Sequence, residues 1–185
     1  MVHMDGQPRQ RTCGPESGAG DFELIFRRET LVVDSIPAWM MNDHYQEIAT
    51  QRQVLHRPRP DWPYYMAEQK AGHLLFMAAR LDTSYDLVGF VAMIVREHPH
   101  YADVIVASND LHYLMPAYRG MGNGSKMLRA AEALAASCGA SLFMMRTRKG
   151  KAEHGHIFEK MGYELTDLVY TKDLTHAYAP KAPGV

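Results

Sequence analysis

The stretch that decides the fold is LHYLMPAYRGMGNGSKML, residues 111–128. It opens as an apolar, strand-like run, passes an arginine, crosses Gly120, Gly122 and Gly124, and enters a helical pattern. Glycine at such a junction permits positive φ angles and lets a ligand approach the main chain closely. A plain turn needs one special angle, and three alternating glycines exceed that need. Several unpaired amides converge there at the positive end of a helix, which is a site for phosphate or diphosphate. The spacing lacks the G-x-G-x-x-G of a dinucleotide site and the G-x-x-x-x-G-K-[ST] of a nucleotide triphosphate loop.

The helix that follows is well marked. Met127, Leu128, Ala131, Leu134, Ala135 and Cys138 share one helical face, and Gly139 stops it. Upstream, FELIFRRETLVV (22–33) alternates like a strand, and SIPAWMMNDHYQEIATQR (35–52) reads as a helix with Ser35 as cap and Pro37 in its first turn. RPRPDWP (57–63) breaks regular structure and reads as a surface loop. HLLFMAARLD (73–82) and DLVGFVAMIVREH (86–98) are strands joined by a hairpin at TSYD (83–86), the second apolar on both faces and therefore central. ADVIVASNDLHYLM (102–115) is their neighbour. Downstream come a strand in SLFMMRTR (141–148), a short helix in KAEHGHIFEKMGY (151–163) ended by Gly162, and a last strand or hairpin half in ELTDLVYTKDL (164–174). The expected fold is α/β (α+β): a mostly antiparallel sheet of six or seven strands flanked by helices.

Composition narrows the function. Of 185 residues, 20 are Lys or Arg and 21 Asp or Glu, so a net charge of -1 supplies no global attraction to nucleic acid or membrane. Cys13 and Cys138 form neither a disulfide framework nor a ligand cluster. With no apolar span or signal-peptide core, the expectation is a soluble, cytoplasmic protein. Residues 1–20 and 176–185 read as flexible tails around one domain, 21–175.

The run YLMPAYRGMGNGSKML carries R-x-x-G-x-G through Arg119, Gly122 and Gly124. It resembles the acyl-coenzyme A signature of the GNAT acyltransferase superfamily, and FEKMGYE (158–164) is similar to that family's last-helix motif. The wording also resembles phage-encoded members. The resemblance covers Phe22 to about Leu174 and implies a GNAT-like sheet with a splayed strand pair at the coenzyme site. It implies acetyl-coenzyme A as co-substrate and an amine acceptor. Cys138 on an apolar helical face and Cys13 in a tail offer no covalent nucleophile, so direct transfer in a ternary complex is expected, and the scattered histidines argue against a metal. The amides from Met121 to Ser125, including Gly122, Asn123 and Gly124, would hold the diphosphate, with Gly120 and Arg119 shaping or pairing with it and Lys126 within reach. An amide of Leu114 or Met115 would polarise the thioester carbonyl.

An attacking amine must lose a proton. Simple alternation places Ser108, Asp110, His112 and Leu114 on one strand face, toward the acceptor. His112 is the first candidate base, with a reference pKa of about 6.5, and Asp110 the second, as base through water or as an orienter of His112. The family's thiolate-protonating tyrosine aligns with Phe158, which has no proton to give, leaving Tyr163, His154, His156 or water. Phe158 also reads as packing. RTRKGK (146–151) reads as a solvated loop or an attractor of anions. Trp39, Tyr45, Trp62, Tyr64 and Tyr65 read as an acceptor wall or as core closure. A small-molecule or protein amine ranks ahead of a nucleic-acid base as acceptor. A homodimer and a coenzyme-binding module without turnover stay open.

Overall fold

A computed structural model describes residues 22–48, 59–147 and 152–170. The chain divides into two compact units, one up to Lys151 and one from Ala152 onward.

In the first unit the order is β1 (Leu24–Glu29), α1 (Ala38–Ile48), α2 (Trp62–Lys70), β2 (Leu74–Leu81), β3 (Leu87–His98), β4 (Tyr101–Leu114), a single 3-10 turn (Pro116–Tyr118), α3 (Asn123–Ser137) and β5 (Leu142–Met144). The strands form one sheet in sequence order. β1 to β4 pair antiparallel, and β4 pairs with β5 in parallel. A parallel pair needs a crossover, and α3 supplies it. The class matches the sequence reading, but the described residues hold five strands rather than six or seven. Residues 163–170 carry no strand, and 171–174 lie outside the described residues, as do both tails.

β2 and β3 are apolar on both faces because helices cover both. On one face Phe76, Ala78, Phe90 and Ala92 pack with Met40 and Met41 of α1 and Tyr65 of α2. On the other, Met77, Ala79, Val91 and Met93 pack with Met127, Ala131 and Ala135 of α3. α3 ends in a Schellman motif, with Gly139 N donating to Ala136 O and Ala140 N to Ala135 O.

Two helix starts differ from the sequence reading. Pro37 is not inside α1; its carbonyl accepts from Met40 N and Met41 N, while the Ser35 hydroxyl accepts from Val32 N. The segment read as a loop through Pro63 contains the first turn of α2. Asp61 Oδ1 accepts from Tyr64 N at 3.1 Å, and Pro63 sits where a missing amide costs nothing.

The second unit holds α4 (Ala152–Lys160), closed by Gly162 at φ 94°.

Candidate active site

The chain leaves β4 through the 3-10 turn into a bend where Gly120, Met121 and Gly122 all take positive φ, at 103°, 45° and 74°. Gly122 in the left-handed region then opens α3. Asn123 pins the bend: its amide donates to Gly120 O at 2.8 Å, and its buried side chain donates to Tyr118 O at 3.2 Å. Lys126 N bonds Gly122 O, and Lys126 Nζ lies 3.5 Å from Asn123 Oδ1. Among the described residues, the amides of Gly120, Met121, Gly122, Gly124 and Ser125 donate to nothing. A Cβ built at Gly120, Gly122 or Gly124 meets nothing within 4 Å. The bend is therefore open, and the Asn123 amide is the member of the expected 121–125 set that the fold itself uses.

Arg119 is held differently from the sequence reading. Its Nε donates to Leu114 O at 2.6 Å, its Nη2 donates to both carboxylate oxygens of Glu47 on α1 at 2.8 Å, and its guanidinium lies 5.5 Å from the Tyr113 ring centre. One guanidinium nitrogen shared by both carboxylate oxygens, with the cation over an aromatic ring, ties the end of β4 to α1. Met115 is also committed, with its amide donating to Val88 O at 2.9 Å. Successive amides of a strand point to opposite edges, so the Leu114 amide points to the edge that β5 has left. Gly89, paired with Leu114, allows the two strands to meet there: a Cβ at 89 would lie 2.7 Å from Tyr113 O.

The pairing of β3 with β4 corrects the single-face reading of Ser108, Asp110, His112 and Leu114. Ala92 pairs with Leu111 but Met93 pairs with Asn109, so Asp110 is an extra residue, a β-bulge. One extra residue moves everything beyond it to the opposite face. Ser108 and Asp110 face α1 and α2; His112, paired with Val91, faces α3, as does Leu114. The first and second base candidates thus stand on opposite sides of the sheet.

On the α1 and α2 side, the Tyr65 hydroxyl donates to Asp110 Oδ2 at 2.5 Å. Burial first, and then that bond and the Asp110 charge, hold the Tyr65 hydroxyl far above its ordinary value. Tyr45 is raised by burial and by the same carboxylate. Next to Tyr45 a cavity of about 200 Å³ is lined by Asp34, Ile36, Met41, Asn42 and Trp62. Trp39 and Tyr64 of the expected aromatic wall are half exposed, at 50% and 46%.

On the α3 side, β4 and β5 stay paired only through Val106, Ala107 and Ser108, opposite Leu142, Phe143 and Met144. Beyond that the strands part, as the splayed pair expected from the sequence would. The sequence reading missed Asn109, whose side chain accepts from Arg146 N at 2.6 Å and reaches His112 Nδ1 at 3.0 Å. Asn109 stands between Ser108 and Asp110, so nothing in the sequence set it apart from its polar neighbours. Of the basic run 146–151, Lys151 and residues 148–150 lie outside the described residues.

Within the second unit, the Phe158 and Tyr163 rings pack 5.7 Å apart, and Tyr163 N donates to Phe158 O. His156 Nδ1 lies 3.4 Å from Glu159 and is exposed. The side chain of His154 lies outside the described residues.

A sheet split between its two parallel strands, with an open amide bend at the head of the crossover helix, belongs to the mixed α/β acyltransferase folds. Residues 38–163 match the model of the acetyltransferase (GNAT) family, and the chain belongs to that family. No protein of curated function matches it in sequence. Similar solved structures include a ribosomal-protein-alanine N-acetyltransferase from Brucella melitensis, 17% identical with a TM-score of 0.60, covering 82% of this chain and 99% of that one. An aminoglycoside acetyltransferase from an uncultured soil metagenomic sample is 14% identical with a TM-score of 0.61, over 83% and 99% of the two chains. An aminoglycoside acetyltransferase in complex with a coenzyme A bisubstrate analog is 15% identical with a TM-score of 0.55, over 82% and 97%. At these identities the likeness is one of fold. No helix among the described residues is long and apolar enough to cross a membrane.

Proposed function

We propose that the protein transfers an acyl group, acetyl in the first instance, from acyl-coenzyme A directly to the amine of a small molecule or protein. One observation carries this reading. Gly124 has an ordinary helical backbone and open space where a side chain would go, so the fold does not require glycine there. Glycine inside a helix costs about 1 kcal/mol relative to alanine, and a diphosphate approaching the bare amides of 120–122, 124 and 125 accounts for it.

In this reading the pantetheine arm adds to the free edge of β4 like an extra strand. The Leu114 amide faces the thioester carbonyl and stabilises the developing oxyanion. Asp110, on the side of Tyr45, Tyr65 and Trp62, takes the proton from the attacking amine directly or through one water, with the Tyr65 hydroxyl holding its carboxylate in place. Arg119 supports the site by fixing the Leu114 carbonyl and α1. The departing thiolate takes its proton from water; Tyr163, tilted against the phenylalanine at the family's tyrosine position, lies in the second unit.

Phe158 also supports a second reading, a module that binds the coenzyme without turnover. Calorimetric titration with coenzyme A, followed by thiol release across a panel of small and peptide amines, decides between them. Binding with turnover is expected. Binding with no turnover on any amine would favour the second reading, and no binding would remove both.

A further inference from the structure

Asn109 is buried, 6% exposed, at the point where β4 and β5 separate. Its two hydrogen bonds fix more than its own position. A backbone amide can only donate, so the group facing Arg146 N is the Asn109 carbonyl oxygen. The amide nitrogen of Asn109 must then face the other way, and there it meets His112 Nδ1 at 3.0 Å. An NH₂ group can only donate, so Nδ1 must accept. A neutral imidazole that accepts at Nδ1 carries its hydrogen on Nε2. A proton on Nδ1 would set two donors against each other inside the fold.

We propose that Asn109 is a positioning residue that holds His112 as the Nε2–H tautomer, a hydrogen-bond donor on the α3 side of the sheet. The bulge at Asp110 places His112 on the side from which the amide bend also springs, away from the Tyr65 hydroxyl. In that state His112 offers an N–H instead of the lone pair a base needs. A carbonyl oxygen or the sulfur of a coenzyme arm lying along this face is an acceptor such a donor can reach, and this part rests on the acyl-coenzyme A reading. No proton leaves the imidazole. The amine's proton goes to Asp110, and His112 contributes a hydrogen bond alone.

Nitrogen-15 NMR of the full chain, labelled at histidine and assigned through His112→Gln, tests the tautomer without any assay of turnover. At neutral pH the expected His112 spectrum has a pyridine-type Nδ1 and a pyrrole-type Nε2. The reverse pattern, or an imidazolium, would overturn the proposal. Asn109→Asp keeps an oxygen for Arg146 N and turns the other group into an acceptor, so the tautomer should invert. With it, kcat/KM for acetyl-coenzyme A should fall at least about tenfold while the KM for the amine stays within about twofold. An unchanged spectrum in a folded Asn109→Asp protein would refute the positioning role; if this variant does not fold, the wild-type spectrum still decides. Adding coenzyme A should move the Nε2 resonance. A bound coenzyme that leaves it unmoved would remove His112 from the coenzyme site, whereas failure of coenzyme A to bind would count against the acyltransferase reading and leave the tautomer to the spectrum.

Discussion

Gly122 and Gly124 stand two residues apart and are there for different reasons. Gly122 is left-handed, at φ 74°, so Gly122→Ala should lower stability by about 1 kcal/mol in a urea titration. Gly124 is helical and unhindered, so Gly124→Ala should raise stability by roughly 0.5 to 1 kcal/mol. The same substitution should weaken coenzyme A at least about tenfold, a loss of about 1.4 kcal/mol. A more stable variant with unchanged coenzyme affinity would leave Gly124 without a ligand-binding role. Asp110→Asn should lower kcat about a hundredfold with coenzyme affinity kept, because a general base contributes at that scale. Turnover that survives in that variant would return the base to another residue.

Elements carry the next set of consequences. The end of β4 is held by Gly89 from β3 and by Arg119 and Glu47 from the 3-10 turn and α1. Gly89→Val would drive a Cβ to 2.7 Å from the Tyr113 carbonyl, which is backbone and cannot swing away. It should cost more than about 2 kcal/mol by thermal or chemical melt. At the other edge of the sheet, Arg80 grips both oxygens of Glu29, at 2.7 and 2.8 Å, and chiefly through that bond holds its carboxyl below the usual value. A lowered carboxyl favours the folded state above its unfolded pKa, about 4.3, and loses that contribution as pH falls through the lowered folded value. Glu29→Gln should therefore be less stable at pH 7, by no more than about 0.5 kcal/mol for a pair this near the surface, with the gap closing toward pH 3. The elements show where the sequence was readable. The strand order and the glycine bend stood out because apolar runs and repeated glycines are local signals. The bulge at Asp110 carried no glycine or proline and is visible only in the pairing with β3, so alternation put His112 on the wrong side. The first turn of α2 hid behind Pro63, which breaks a helix interior but suits its start. The commitments of the Met115 amide and the Arg119 guanidinium are tertiary, made to Val88 and Glu47 far away in the chain.

For the whole molecule, a ligand that binds only the folded chain adds stability by mass action. Coenzyme A at a hundred times its dissociation constant should add about 2.7 kcal/mol and raise the melting temperature in step. A melt unmoved by saturating coenzyme would count against the proposed activity more directly than any failed acceptor screen, since it needs no knowledge of the amine. The family and the fold class were legible in the sequence because both rest on a motif and on element order, while the proposed acceptor side depends on how α1, α2 and β4 meet. The single supernumerary residue in β4 has a consequence for that meeting. It makes the strand change parity halfway along, so odd and even positions exchange their addresses at 110. Deleting that residue would close the bulge into plain alternation, with Asn109 still opposite Met93, Leu111 opposite Ala92 and His112 opposite Val91, because the extra position is absorbed where it occurs. Loss of one amino acid at this position would thus take away a carboxylate and leave every other side chain of the strand where it stands.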